Sequence, residues 1–217
     1  MRSLTFPDGP AAPMNILCLG AHSDDIEIGC GGTILRFREQ YPHWSFHWVV
    51  FSAIGVRETE ARRGATLFGG ATPPTPPLLK TFRDGFMPFV GAEVKEVFED
   101  LKQMVRPDLI FTHSHKDAHQ DHRLISELTW NTFRDQLILE FEVPKYDGDL
   151  GQPGLFVTLS SEHCAQKVRY LMDTFRSQRC RRWFREDTFT SLMRLRGMEC
   201  NSDSGYAEAF YCRKLVL

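Results

Sequence analysis

The sequence predicts an α/β fold: an open, mostly parallel sheet flanked by helices in a single domain. Three observations predict it. The strand-like runs are continuously apolar, as strands covered on both faces are. They alternate with segments of helical period. Two polar clusters stand just past the ends of apolar runs, where open α/β sheets bind their ligands.

Residues 14–20, MNILCLG, form the first strand. A helix over 29–40 follows, with Ile34, Leu35 and Phe37 on its apolar side. Tyr41-Pro42 ends it, because proline disfavours helical geometry in the residue before it. FHWVVFSA (46–53) is the second strand, and RETEARRGATLFGG is a helix closed by Gly69 and Gly70. ATPPTPP is a stiff, exposed connection. Over 91–105, Val94, Val97, Phe98, Leu101, Met104 and Val105 recur at helical spacing. Pro107 ends that helix, and DLIFTH is a buried strand. A helix over about 120–134 leads to the strands LILEFEV and LFVTLS. Helices over about 161–176 and 185–196 come next, the second stopped by Gly197, and EAFYCRKLVL closes the chain as a strand. The expectation is a Rossmann-like domain over 14–217 behind a loose leader over 1–13.

The composition narrows the function classes. A chain of 217 residues, 42% hydrophobic and 25% charged, has room for a sizeable core and is not disordered. A net charge of -2 gives no overall pull toward nucleic acid or a membrane surface. No apolar run is long enough to cross a bilayer, and the first residues lack the apolar core of a signal peptide. Six cysteines are scattered without a CxxC pair, which fits reduced thiols in the cytoplasm. Cys18 and Cys212, in strand-like runs, read as core, as do Trp44, Trp48 and Trp130. A homo-oligomer stays open.

The chemistry lies in the two polar clusters. The first holds His22, Asp24 and Asp25; the second holds His113, His115, His119 and His122 with Asp117 and Asp121. Imidazole with carboxylate suits zinc, and also iron or manganese. A catalytic zinc keeps three protein ligands and one open position, and His22, Asp25 and one histidine of the second cluster would supply the three. His119 and His122, three apart, share a helical face, so one can bind metal while the other faces substrate. Taken singly, each cluster has a plainer reading, as a capping aspartate or a solvated loop. Their common position at strand ends is what points to a metal. GCGGT fits neither nucleotide-binding glycine spacing, and reads as room for the backbone to pass the metal and enter a helix.

Around these stand weaker candidates. Arg57 and Glu60 follow the second strand on the same rim, where Arg57 reads as a surface arginine with a partner in its own helix. Asp84, in FRDG, either reaches the pocket or shapes a turn. Asp121 either orients one of its neighbouring histidines or favours the start of its helix. RSQRCRRWFR (176–185) is strongly basic, and is either a solvated helix end or a site for an anionic group such as a sugar phosphate or nucleotide.

The motifs AHSDDIEIGCGGT, RETEARRGATLFGG, HQDH (119–122) and YAEAF stand in that order over nearly the whole chain. This series resembles the PIG-L/LmbE-like family of zinc-dependent de-N-acetylases: Ala-His-x-Asp-Asp with a Gly-x-Gly-Gly-Thr turn, an Arg-x-x-Glu helix, His-x-Asp-His, and Ala-Glu-x-Phe. Ser23 departs from the proline of many members but touches no expected ligand. The resemblance implies that His22, Asp25 and His122 hold zinc and that Asp24 is the general base. It also implies that His119 steadies the oxyanion and protonates the leaving amine, and that Arg57 faces a polar substrate instead of only pairing within its helix. The implied substrate is a small N-acylated amino sugar or its conjugate, with no nucleic acid or membrane partner. Two rivals remain: a metal-dependent phosphoesterase, which wants more bridging carboxylates than the clusters supply, and a non-catalytic metal- or sugar-binding module.

Overall fold

A computed structural model of the chain describes residues 5–6, 13–70 and 75–216. Residues 1–4 and 7–12 of the expected leader, and 71–74 of the proline-rich connection, lie outside the described residues. The strands are β1 (Asn15–His22), β2 (Ser45–Ser52), β3 (Leu78–Leu79), β4 (Leu109–His113), β5 (Leu137–Phe141), β6 (Leu155–Leu159) and β7 (Tyr206–Cys212). The helices are α1 (Asp25–Gln40), α2 (Val56–Gly69), α3 (Gly91–Met104), α4 (Gln120–Thr132), α5 (Ser161–Thr174) and α6 (Glu186–Glu199).

The strands form one sheet in the order β3-β2-β1-β4-β5-β7-β6. β1 to β5 are mutually parallel, and β7 runs antiparallel between β5 and β6. Both faces are covered. Ile16 and Cys18 of β1 join the core beneath α1, α2 and α5, while Leu17 and Leu19 join the core with Val94, Phe98 and Ile125 of α3 and α4. That two-sided burial is why β1 reads as a continuous apolar run. The chain order runs outward from β1 on one side and from β4 on the other. The carboxyl ends of these two strands therefore flank the crevice where a doubly wound sheet takes its ligand.

Several boundaries differ from expectation, and three bear on packing. α1 begins at Asp25, so the glycine cluster is helix interior and no entry turn exists there. Asp25 and Glu27 in its first turn favour that start electrostatically. The glycines serve packing: a Cβ on Gly29 would strike the ring of Phe141, and one on Gly32 would meet Leu159 and Glu208. α6 runs through Gly197 to Glu199, because Gly197 lies against the backbone of Gly205, where no side chain fits. β7 ends at Cys212, which is only half-buried, whereas Cys18 is fully buried. Trp44 and Trp48 are core and Trp130 is half-buried. The two-residue β3 and a 3-10 turn at Met87–Val90 carry no periodic signal and were not expected. Phe6, within the expected leader, packs edge-on against Phe37 and Trp44.

Candidate metal centre

His22 is the last residue of β1, and Asp24 and Asp25 open α1. His113 ends β4, and His119 and His122 lie at the start of α4. The crevice brings them together. His22 Nδ1 lies 3.1 Å from His122 Nε2 and 3.3 Å from Asp25 Oδ2, and His122 Nε2 lies 3.5 Å from the same oxygen. Zinc takes such donors at about 2.0–2.2 Å, so neighbouring corners of its tetrahedron stand about 3.3–3.6 Å apart. Three lone-pair-bearing atoms crowded at this spacing repel one another unless a proton or a metal cation sits among them. The donor set therefore fits a divalent ion.

The surroundings hold these rings in ligand geometry. His122 Nδ1 is 2.9 Å from Asp117 Oδ2, which keeps that ring proton away from Nε2. Burial and the neighbouring His113 bring the His122 pKa down to about 4, so its ring is neutral near pH 7. Burial raises Asp25, but His122, His113 and His22 outweigh it and hold the carboxylate well below its usual range. Burial lowers His22, but Asp25, Asp121 and Asp84 outweigh it and hold the imidazole well above its ordinary value. On its far side His22 Nε2 lies 3.0 Å from Asp84 Oδ1 and 3.3 Å from Asp121 Oδ2. Asp121 is fixed in turn by the N–H groups of Gly85 (2.7 Å) and Met87 (3.1 Å). The Asp121 carboxylate thus faces His22 from across the crevice, while only its backbone N–H meets a histidine near it in sequence, His119.

Asp24 and His119 sit beside the triad without joining it. Asp24 Oδ1 accepts from Arg57 at 2.5 Å, and its Oδ2 is buried with no protein partner among the described residues. Burial, with Asp25 adding to it, raises the Asp24 pKa against the pull of Arg57. His119 caps α4: its Nδ1 accepts the Asp121 N–H at 3.3 Å, which leaves Nε2 to carry the ring proton. Burial and the neighbouring His22 lower the His119 pKa, so it is a neutral N–H donor near pH 7. Its ring centroid is 4.9 Å from that of His22 and 4.7 Å from that of His122. Arg57, at the start of α2, pairs within its helix with Glu60 (3.0 Å) as well as across to Asp24.

A family model described as "PIG-L: GlcNAc-PI de-N-acetylase" matches residues 17–133, more than half of the chain. The chain belongs to the PIG-L family. Solved structures share the fold of this PIG-L chain across nearly its full length. The conserved protein TT1542 from Thermus thermophilus is 21% identical, with a TM-score of 0.75 over 94% of this chain and 96% of its own. N,N'-diacetylchitobiose deacetylase from Pyrococcus horikoshii is 18% identical, with a TM-score of 0.70 over 92% and 83%. GalB, a 4-carboxy-2-hydroxymuconate hydratase from Pseudomonas putida, is 17% identical, with a TM-score of 0.71 over 94% and 98%. At these identities the likeness shows the fold.

Four features of the PIG-L site escape sequence reasoning. Asp117 is one of several acids in its cluster, and nothing in the spacing singles it out as the partner of His122. Lys145, which pairs with Asp117 at 2.9 Å, carries no motif. His113 stacks on His122 at 3.9 Å, accepts the Ala21 N–H on Nε2 at 2.9 Å, and places the same Nε2 3.2 Å from Asp25 Oδ2, within reach of the donor cluster. The Arg57–Asp24 pair joins segments 33 residues apart. His115, by contrast, turns away to Glu140 at 2.9 Å.

Proposed function

We propose that this chain is a metal-dependent hydrolase that removes an N-acetyl or short N-acyl group from an amino sugar or its conjugate. Zinc is the proposed ion; iron and manganese suit the same donors. The observation that carries the reading is the ligand-sized spacing of His22 Nδ1, Asp25 Oδ2 and His122 Nε2, next to the unpartnered Oδ2 of Asp24. Membership of the PIG-L family supports it. So does the deacetylase among the structural neighbours, although the hydratase among them means that fold alone does not choose the reaction.

A bound ion would polarise the acyl carbonyl and acidify water, which an amide needs because resonance makes it a poor electrophile. Asp24 takes the proton of the attacking water on Oδ2, while Arg57 holds its other oxygen. The Nε2–H of His119 donates to the oxygen that gains charge as water adds. The C–N bond then breaks as Asp24 passes the proton it took from water to the leaving amine, His119 stays hydrogen-bonded to the acyl oxygen, and the acyl group departs as the free acid, acetic acid for an acetyl group. Arg57 and Asp84 are at hand for a polar substrate. We assign this activity to residues 14–217 and to the cytoplasm, which the six unpaired cysteines support. Among the described residues no helix is long and apolar enough to cross a membrane.

The test is acetate release from a panel of N-acetylated sugars and sugar conjugates, with zinc added and with a chelator. Turnover that needs zinc and vanishes with the chelator is the expected result. Asp24→Asn is expected to lower kcat by about 10²–10⁴-fold with metal content unchanged, and His122→Ala to lose the metal. Equal metal loss in both variants would overturn the division between base and ligand.

A further inference from the structure

The basic run at 176–185 has no part in the reaction above, yet it lies beside the metal centre. We propose that it forms an anion subsite, and that the amino sugar is acted on as a phosphate- or diphosphate-bearing conjugate. For the rest of the substrate this rests on the deacetylase reading.

Arg176, Arg179, Arg181, Arg182 and Arg185 are all exposed. Among the described residues, only Arg179 has a carboxylate partner, Asp173 at 3.7 Å. Five guanidinium groups within ten residues repel one another, in a chain whose net charge is -2. The backbone that displays them is held in place. Phe175 and Phe184 are fully buried on either side of the first four arginines. The N–H and Oγ of Ser177 donate to the two carboxylate oxygens of Glu60 at 2.9 and 2.7 Å.

These anchors lead to the metal centre. Glu60 also accepts from Arg57, and Arg57 holds Asp24. The Arg57 guanidinium lies 5.7 Å above the Phe175 ring and 3.5 Å from Ser177 Oγ. At the other end, the N–H of Arg182 donates to the Tyr146 hydroxyl at 3.2 Å. Its chain neighbour Lys145 pairs with Asp117, the partner of His122. The run is thus tied to the base on one side and to the ligand shell on the other.

Guanidinium forks match phosphate oxygens in pairs, and a phosphate ester carries more charge than one carboxylate can return to several arginines. A membrane surface would want exposed apolar side chains beside the charges. Within the run, however, Phe184 is buried and Trp183 half-buried, which favours a small anionic ligand.

The metal-loaded chain is titrated with inorganic phosphate and uridine diphosphate, and kcat/KM is compared for N-acetylglucosamine, its 1-phosphate and its uridine diphosphate conjugate. The unaltered chain should prefer a phosphorylated substrate by about tenfold or more. R181Q/R182Q should erase that preference and weaken diphosphate binding about tenfold, R181K/R182K should keep part of it, and added salt should reduce it. No preference in the unaltered chain overturns the proposal, and so does an undiminished one in R181Q/R182Q, which would place the phosphate on the ion. Arginine-dependent binding only to anionic phospholipid vesicles overturns it in favour of a membrane role. Acetate release without phosphate preference sinks the subsite alone. Arginine-dependent diphosphate binding without acetate release from any sugar keeps the subsite and sinks the deacetylase reading.

Discussion

At the scale of single residues, the acids around the histidines divide by what they touch. Asp117 accepts from His122 and also takes the His119 N–H on Oδ1 at 2.8 Å, so it sets the ring of a proposed ligand and the start of α4 together. His115 sits two residues before it but bonds Glu140, outside the centre. Asp117→Ala is therefore expected to weaken zinc about 10- to 100-fold, and His115→Ala to leave zinc affinity unchanged; a competition titration against a chromogenic chelator reads both. Arg57 offers a second test. It spans Asp24 and Glu60, so its effect should run through the base. Arg57→Met is expected to lower kcat about tenfold or more at constant metal content, with little change in KM. A rise in KM at constant kcat would instead mark a direct contact with substrate. That His22, Asp25 and His122 come together was legible because their two segments end neighbouring strands and their donor types are few in the chain. Asp117, Lys145 and the Arg57–Asp24 pair were not legible. Each depends on which of many ordinary polar side chains the fold brings within 3 Å, and no local pattern encodes that.

At the scale of elements, α1 shows why the glycine cluster reads wrongly from sequence. Glycine disfavours a helix interior by about 1 kcal/mol relative to alanine, so Gly29, Gly31 and Gly32 argue locally for a turn. Tertiary packing decides otherwise. Phe141 ends β5 and lies against α1 where Gly29 has no side chain, which lets the helix carrying Asp25 sit close over the sheet. α6 repeats the lesson at Gly197, while α3, with its regular apolar spacing and no such approach, reads correctly from sequence. Gly29→Ala should gain helix propensity yet lose stability, by about 1–3 kcal/mol from overpacking, as measured by urea denaturation. Combining it with Phe141→Leu should cost less than the sum of the two single changes, because the smaller side chain makes room for the added methyl. Additive losses would show that the contact is not the cause.

At the scale of the whole molecule, the carboxyl-terminal third holds α1 in place from behind. Glu208 of β7 accepts the N–H groups of Gly32 (2.9 Å) and Thr33 (2.6 Å), in the middle of α1. Lys167 of α5 donates to the Ile28 carbonyl of the same helix at 2.5 Å and pairs with Glu208 at 2.5 Å. Both charged side chains are buried. The pair therefore bolts α1, α5 and β7 together, and both its members lie beyond residues 17–133, the part the family model matches. It is also the physical content of the YAEAF motif, whose glutamate acts on the helix and lies outside the ligand triad. A buried pair loses most when one member is removed, because the other stays charged and uncompensated. Lys167→Met is thus expected to destabilise the chain by about 3–5 kcal/mol. Lys167→Met with Glu208→Gln should fall short of the sum of the single losses, since the glutamine keeps an acceptor for one of the two α1 N–H groups without a stranded charge. Guanidinium denaturation of the four chains measures the coupling, and zinc titration of the same set shows whether it reaches the metal. If Asp25 and His22 depend on the seating of α1, zinc affinity should fall in Lys167→Met and recover in the double variant. Unchanged affinity throughout would mean that β1 and the first turn of α1 hold the ligands without help from the far side of the sheet.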